Sequence, residues 1–283
     1  PTSTVGIVAT FATAPIHVKM IFEINEALWE AGYHVILADS RIEKEREAGL
    51  VRELLARGVD GLILYTQQSD EEIEALIQGQ ADWVTIQAGV GTSRVQSDRV
   101  AGGRLATRHL LEHGHRRIGF LTATMGGTNR AKYEGYCQAL AEAQVPCDDR
   151  LIVQSEGRDE DSFWQEILQR IERQEASAFF CASDHVAALL IRRLHDAGKR
   201  VPGDVAVIGF DGLDMASLVI PAITTVRQPT TEQARAAVAM LLEAMASKSA
   251  PAERKVFTPE LVIRESCGCG RKPKGLAIDS NAL

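Results

Sequence analysis

Short apolar runs alternate along this chain with stretches in which apolar residues recur every three or four positions. The apolar runs predict buried β-strands, and the amphipathic stretches predict helices. Gly32, Gly114 and Gly198 follow three of the helical stretches and favour helix ends there. The predicted strands are TVGIVA from Thr4, YHVILA from Tyr33, GLILY from Gly61, WVTIQ from Trp83, RIGFL from Arg117, LIVQ from Leu151, AFFCA from Ala178 and VAVIG from Val205.

The repeated order of strand then helix predicts an α/β fold with parallel sheets and right-handed crossovers. Two arrangements fit this order, namely one closed barrel or two open, doubly wound sheets. A further helix over about 230–246 and a final strand, FTPELVIRE, come after the second series of strands is complete. This late return favours two lobes between which the chain crosses more than once.

Composition and charge narrow the class of protein. The chain has 283 residues, enough for two domains, and a formal net charge of −7, which argues against the chain itself being a nucleic-acid-binding surface. The five cysteines are scattered and odd in number, so they predict a reducing compartment rather than a disulfide framework. No apolar run is long enough to predict a membrane span. The chain begins at Pro1, directly before the first strand, and we expect a further segment upstream.

The sequence lacks the motifs of common catalytic and metal sites. GxSxG, HExxH and the phosphate-binding Walker loop do not occur, and no pair of acids is placed as acid and base. His109 and His113 have a spacing that metals use, but we expect a solvated helix end because the sequence places no cysteine or carboxylate beside them. Cys267 and Cys269 are interpreted as ordinary thiols. We therefore predict a non-enzyme without a cofactor, a metal or a catalytic residue.

Several blocks together carry a resemblance that covers residues 5–266. They resemble the effector-binding core of the lactose-repressor/purine-repressor (LacI/GalR) family in order and spacing. The blocks are SDRVAGGRLATRHLLEHGHRRIGFL from Ser97, KYEGYCQAL from Lys132, CASDHVAALLIRRLHDAGKR from Cys181, VPGDVAVIGFDG from Val201, PAITTVRQP from Pro221 and PELVIRES from Pro259.

The resemblance implies a periplasmic-binding-protein-like α/β fold, in which two Rossmann-like lobes with parallel sheets are joined by three crossovers. It places a small ligand in the cleft between the lobes. It also implies that the family's DNA-binding helix-turn-helix precedes the core and is absent from this chain. The implied limits are 1–96 with 228–256 for the N-terminal lobe, 97–227 with 257–268 for the C-terminal lobe, and 269–283 for a flexible tail.

The resemblance also implies which side chains meet the ligand. Asp211, at the end of VAVIGFD, accepts hydrogen bonds from ligand groups in the family, and Lys132 stands where the family usually has Arg. Gln87 stands where Asp is frequent, and Ser183 where Asn is. The implied ligand-binding residues are Ala12, His17, Gln87, Thr128, Lys132, Ser183, Asp211 and Gln228.

Other interpretations of these residues stay open. Asp211 is also suited to capping the turn that follows it, because aspartate accepts bonds from nearby backbone N–H groups. Replacing Arg by Lys removes a planar, bidentate donor. Arg158 together with Lys132 favours an acidic or phosphorylated sugar as ligand, and His17 or Phe11 would have to supply a stacking ring.

The implied function is a ligand-responsive bacterial transcriptional regulator in the cytoplasm. Its expected partners are a sugar, sugar acid or sugar phosphate, operator DNA through the absent N-terminal domain, and a second copy in a homodimer, with no membrane. Leu50, Leu54 and Leu55 serve either the dimer or the packing of their helix on the sheet. A solute-binding protein of a transporter is the main alternative, followed by a two-lobe enzyme and a sensor fused to another output domain.

Overall fold

The computed structural model describes residues 2–10, 14–66, 68–86, 94–247 and 254–269. These residues form two compact units, and each unit contains one open sheet. The first unit takes the described residues within 1–99, 126–131 and 228–259, and the second takes those within 100–125, 132–227 and 260–269. The predicted flexible tail lies outside the described residues except for Cys269.

The first unit is a doubly wound α/β unit. Its elements are β1 (Thr4–Ala9), α1 (Pro15–Glu30), β2 (His34–Asp39), α2 (Lys44–Ala56), β3 (Gly61–Tyr65), α3 (Asp70–Ile77), β4 (Asp82–Ile86), β5 (Val95–Ser97), α9 (Thr230–Ser247) and β11 (Lys255–Phe257). In the described residues the strand order is β11-β5-β4-β3-β1-β2, and the paired strands are parallel.

Helices cover both faces of this sheet, which explains why its central strands are apolar on both sides. Successive residues of a strand point to opposite faces. Ile7 therefore packs in one cluster with α1 and α9, and its neighbour Val8 packs in another cluster with α2 and α3.

The second unit repeats this plan. Its elements are α4 (Arg99–Glu112, of which Arg99 belongs to the first unit), β6 (Ile118–Thr122), α5 (Thr128–Glu142, of which residues 128–131 belong to the first unit), β7 (Ile152–Gln154), α6 (Glu160–Glu172), β8 (Ala178–Cys181), α7 (Asp184–Asp196), β9 (Ala206–Asp211), α8 (Met215–Leu218), β10 (Thr224–Arg227) and β12 (Glu260–Val262). The strand order is β12-β10-β9-β8-β6-β7, with β12 antiparallel to β10 and the remaining pairs parallel.

The two faces of the second sheet are again covered separately. Phe179 of β8 packs with α6 and α7, whereas the adjacent Phe180 packs with α4 and α5. The helices α4 and α5 approach each other closely, because a Cβ on Gly135 would lie 2.0 Å from the carbonyl oxygen of Val100. Glycine at this position is therefore required by packing.

The two open sheets that the sequence favoured over a barrel are confirmed, since the described strands form two separate sheets. The strand prediction was wrong in two details. The single final strand is in fact two, β11 and β12, which belong to different sheets; Pro259 lies between them and lacks the N–H that a continuing strand would use. The pattern also missed β5, whose three residues are too few to show periodicity. Within the described part of the chain, no helix is long and apolar enough to cross a membrane.

Candidate functional site

Asp211 lies at the carboxyl edge of the second unit's sheet, where open α/β sheets bind ligands. It is the last residue of β9 and is only 4 % exposed, so its carboxyl group is held inside the protein. Its φ of 113° is unusual for a residue other than glycine. The chain then turns at Gly212, which has a φ of 71° and whose Cβ would lie 2.4 Å from the Cβ of Arg227.

A second buried acid, Asp184, fixes the turn that follows Asp211. Its Oδ2 accepts a hydrogen bond from the backbone N–H of Leu213 at 2.7 Å, and its Oδ1 accepts one from the Thr225 hydroxyl at 2.5 Å. The same Thr225 oxygen accepts a hydrogen bond from the N–H of Gly212 at 3.3 Å. Both N–H groups after Asp211 are thus tied to one network, which positions the Asp211 carboxyl group.

The pKa of the Asp184 carboxyl group is strongly raised. Burial raises its pKa to about 7, and the nearby negative charge of Asp211 contributes to this rise, while the bonds from Thr225 and Leu213 act in the opposite direction. Sequence reasoning did not single out Asp184, which begins α7 three residues after β8 ends. The available signal was an acid close behind a buried strand. In the fold it faces Gly209 of the neighbouring strand, where a Cβ would lie 2.3 Å from Asp184 Oδ1.

Lys132 places a buried cation at the same edge. It is 5 % exposed, and its Nζ donates to the carbonyl oxygen of Ala182 at 2.7 Å. The Nζ also lies 4.4 Å from the centre of the Phe210 ring, and Phe210 immediately precedes Asp211. The Lys132 ammonium and the Asp211 carboxyl group are therefore brought to the ends of neighbouring strands of the second sheet, β8 and β9.

Three further predicted site residues have separate positions, and of these Thr128 and Gln228 fall in the first unit. Ser183 is the N-cap of α7, and its Oγ accepts a hydrogen bond from the N–H of Val186 at 3.2 Å. Thr128 begins α5 one helical turn before Lys132, so the two residues share a face of that helix. Gln228 directly follows β10 and is 3 % exposed.

His17 belongs to the first unit. It lies in the first turn of α1, and its Nδ1 is 2.6 Å from the carbonyl oxygen of Thr10. Its ring centre is 5.3 Å from that of Tyr65. Ala12 and Gln87 lie outside the described residues, as does Phe11.

Comparison with known proteins gives one consistent family. Residues 107–267 match the periplasmic binding protein-like domain family. The HTH-type transcriptional repressor PurR of Photobacterium profundum is 30 % identical over 273 residues, which cover 94 % of this chain and 81 % of that protein. The chain belongs to the LacI/GalR family.

Solved structures of transcriptional regulators agree with the fold. The complex of the transcriptional regulator CelR with cellobiose is 27 % identical, has a TM-score of 0.80, and the match covers 94 % of this chain and 84 % of that chain. A LacI family transcriptional regulator from Enterococcus faecium with bound ribose is 27 % identical with a TM-score of 0.81, covering 93 % and 98 %. The chain is thus a ligand-responsive effector-binding core with the periplasmic-binding-protein-like fold that the sequence predicted.

The first unit of this LacI/GalR core contains two buried hydroxyl groups that sequence reasoning missed. Tyr65 ends β3 and Ser97 ends β5, so both lie at the carboxyl edge of their sheet. They are 2 % and 4 % exposed, and neither Tyr65 OH nor Ser97 Oγ has a hydrogen-bond partner among the described residues. Burial raises the pKa of Tyr65 well above its ordinary value, and the charge of Glu23 adds to this effect. Buried groups of this kind are costly unless a ligand or water satisfies them.

Arg158, which the sequence groups with Lys132 in favour of an acidic or phosphorylated sugar, has a charged partner of its own. Its guanidinium forms an ion pair with Glu166 on α6 and lies 5.6 Å from the ring centre of Phe163. The structure thus gives Arg158 a local role beside α6.

Of the two roles left open for Leu50, Leu54 and Leu55, the structure supports packing onto the sheet. Leu54 is 3 % exposed, and Leu50 and Leu55 are partly buried against the same cluster. The exposed apolar side chains of the first unit include Phe22 and Trp29 on α1, which are 63 % and 64 % exposed.

The interpretation of His109 also changes. The sequence placed no cysteine near it, but the fold brings Cys269 Sγ to 2.8 Å from His109 Nε2. Sequence separation hid this contact, because the two residues are 160 positions apart.

A separate cavity of about 520 Å³ lies at the opposite edge of the second unit's sheet. Arg117 and Ile118 line it at the start of β6, with Arg150, Arg173 and Glu175. It is therefore distinct from the carboxyl edge at which Asp211 and Lys132 lie.

Proposed function

We propose that this core binds a small, hydroxyl-rich effector, of the sugar class, and that binding changes the DNA affinity of a helix-turn-helix domain that precedes the core in the whole regulator. The observation that carries the proposal is the buried pair of Asp211 and Lys132 at the carboxyl ends of neighbouring strands. Ionised side chains are costly to bury. Asp184 and Thr225 form a hydrogen-bond network that fixes the turn beside Asp211. A binding site that needs one accurately placed acceptor would explain this network.

The residues suit hydroxyl recognition. Asp211 supplies carboxylate oxygens that accept from hydroxyl groups, and Lys132 supplies an N–H donor. Within the first unit, Tyr65 and Ser97 supply hydroxyl groups that both donate and accept, and we propose them as effector contacts of that unit. Thr128, Gln228 and His17 stay proposed ligand-binding residues. Two similar regulators were solved with cellobiose and with ribose, which supports a carbohydrate as the ligand class.

The effector would act by shifting a conformational equilibrium. A ligand moves such an equilibrium only by its difference in affinity for the two states. In a dimeric regulator the change would alter the spacing of two DNA-reading domains, and operator half-sites require a fixed spacing. The net charge of −7 leaves the positive charge for DNA to the preceding domain. We infer a cytoplasmic location, because such a regulator acts on operator DNA, and the proposed activity uses no catalytic step.

We further propose that the core forms a homodimer through α1. Val18, Phe22 and Trp29 are 50 %, 63 % and 64 % exposed, and their spacing of four and seven residues puts them on one helix face. An apolar stripe of this kind is typical of a protein–protein contact.

Isothermal titration calorimetry tests the effector proposal. The panel contains ribose, cellobiose, a sugar acid and a hexose phosphate. For the ligand that binds, Asp211→Asn and Lys132→Met each weaken binding by about 10- to 100-fold, the size expected for a hydrogen bond to a charged group. Asp149→Asn, at an exposed position, leaves affinity unchanged. Binding that is indifferent to both site variants would contradict the site.

Operator DNA binding is measured on the full-length regulator by fluorescence anisotropy, with and without that ligand. A change in affinity supports the regulatory proposal, and equal affinity with saturated effector refutes it. Sedimentation velocity tests the dimer: Phe22→Asp is expected to give monomers, whereas Leu218→Asp, at an 80 % exposed position in the second unit, leaves the dimer intact. A wild-type core that is monomeric at high micromolar concentration would rule the dimer out.

A further inference from the structure

Three soft or borderline metal-binding side chains meet in the second unit, away from Asp211 and Lys132 in the sequence and outside the proposed effector set. They are His109 of α4 and Cys267 and Cys269, which follow β12. Their ligand atoms all lie within 4.8 Å of one another. Cys269 Sγ is 2.8 Å from His109 Nε2 and 2.6 Å from Cys267 Sγ.

The backbone on both sides holds these ligands in place. His109 is 6 % exposed, and its carbonyl oxygen lies 2.7 Å from His113 Nδ1. Ser266, directly before Cys267, is fully buried; its hydroxyl donates to the carbonyl oxygen of Val207 at 2.6 Å. The cluster is therefore set between a helix and an anchored segment rather than on a free end.

Gly268 forms the backbone turn that brings the Cys267 and Cys269 sulfurs together. Its φ of 79° turns the chain between Cys267 and Cys269, and its N–H donates to the carbonyl oxygen of Glu265 at 3.3 Å. Cys267 is 2 % exposed and Cys269 is half-buried, so the cluster is closed on the Cys267 side and reachable on the Cys269 side.

The donor set selects the kind of ion. Two thiolates and one imidazole suit Zn²⁺ and similar thiophilic ions, whereas Ca²⁺ and Mg²⁺ require oxygen ligands, and the cluster contains no carboxylate. We propose that His109, Cys267 and Cys269 bind Zn²⁺ as a three-residue site with the fourth position open. At Zn–S distances of about 2.3 Å the two sulfurs must move apart to roughly 3.8 Å, and Cys269, which is half-buried, is the more exposed of the two.

Such a site would fasten the segment after β12 to α4 within the second unit. Ligand binding to the folded state alone stabilises that state in proportion to the logarithm of ligand concentration. Zinc is therefore expected to raise the thermal stability of the core, independently of any effector.

The test uses the reduced core, stripped of metal with a chelator and kept under argon. Zinc is titrated in competition with a chromophoric chelator, and cobalt is substituted to detect thiolate charge-transfer bands. We expect one zinc per chain. Cys269→Ser and His109→Gln each weaken binding by more than about 100-fold, beyond the loss produced by a residue that only orients a ligand.

The chain supplies its own matched control. Cys137 and Cys147 form a second thiol pair, with sulfurs 3.7 Å apart, and neither belongs to the three-ligand cluster. The double variant Cys137→Ser/Cys147→Ser should bind zinc like the wild type. Zinc should also raise the Tm of this control but not that of Cys269→Ser, whose half-buried position tolerates serine.

Two results would overturn the proposal. The first is zinc binding that is equal in wild type and in Cys269→Ser. The second is a Cys267–Cys269 disulfide in protein isolated without reductant, combined with no zinc uptake after that bond is reduced. Mass spectrometry of the C-terminal peptide distinguishes the disulfide from the two free thiols.

Discussion

Replacing Asp184 by asparagine should remove a defined part of the pH dependence of stability. In the folded protein the pKa of Asp184 is raised to about 7 by burial and by the charge of Asp211, against an ordinary value of 3.8. Between these two pH values the folded chain holds a proton that the unfolded chain has released. The free energy of unfolding therefore falls as pH rises, by about 1.4 kcal/mol per pH unit and by at most about 4 kcal/mol in total.

The asparagine side chain introduced by Asp184→Asn is neutral at every pH and still offers an oxygen to the N–H of Leu213. The assay is urea unfolding of wild type and Asp184→Asn at a series of pH values from 4 to 8. The difference in unfolding free energy, wild type minus variant, should decrease steadily from about pH 4 to about pH 7 and then level off. Groups common to both proteins cancel in this difference.

Asp204→Asn is the control with the opposite sign. Arg200 lowers the pKa of Asp204 to about 2, so the stability that Asp204 contributes is present above about pH 4 and is lost as pH falls towards 2. Its difference curve should be flat from pH 4 to 8. A flat curve for Asp184→Asn over the same interval, or one that rises with pH, would refute the assignment of a raised pKa to this carboxyl group.

Three further predictions follow from close packing, an unpaired hydroxyl and a helix cap. Gly135→Ala should destabilise the core by at least about 2 kcal/mol, because the new methyl group would meet the carbonyl oxygen of Val100. Gly49→Ala, in a helix with open space around that position, should be neutral or stabilise the core by up to about 1 kcal/mol. Equal effects of the two variants in thermal unfolding would contradict this prediction. Tyr65→Phe should stabilise the effector-free core, since it removes a buried hydroxyl without a described partner, and should weaken effector binding in calorimetry; weaker stability with unchanged affinity would argue against Tyr65 as a ligand group. Ser183→Ala should cost about 1 kcal/mol through loss of the α7 cap, measured by urea unfolding, and unchanged effector affinity would assign Ser183 to capping alone.

The sequence predicted the regular part of the fold well because burial on both faces leaves a strong signal. TVGIVA is β1, with five of its six residues buried, and GLILY is β3, buried throughout. The failures are elements that carry little periodicity. β5 has three residues, and the split of the final strand depends on Pro259 and on pairing partners that lie far away in sequence.

The sequence could indicate a candidate site residue where a charged side chain ends a buried strand. Asp211 stood out for this reason, because it is the last residue of VAVIGFD. Asp184 and Tyr65 did not, since an acid at a helix start and a tyrosine at a strand end have ordinary structural explanations. Motif spacing could not predict the contact of His109 with Cys269, because these residues are 160 positions apart and meet only in the folded chain.

The second unit uses its two buried acids, Asp184 and Asp211, for different tasks. Two carboxylates in one buried region make the ionisation of each other less favourable. Selection for stability alone would therefore favour a neutral side chain in place of one of the two acids. The structure instead retains Asp184 and surrounds it with the donors of Leu213 and Thr225, which hold the turn after Asp211. Because these bonds fix backbone atoms rather than the Asp211 side chain, the strained residue at φ 113° can keep its carboxyl group at the sheet edge. The two acids therefore do different structural work: Asp184 fixes the turn after β9, and Asp211 ends that strand at the carboxyl edge of the sheet.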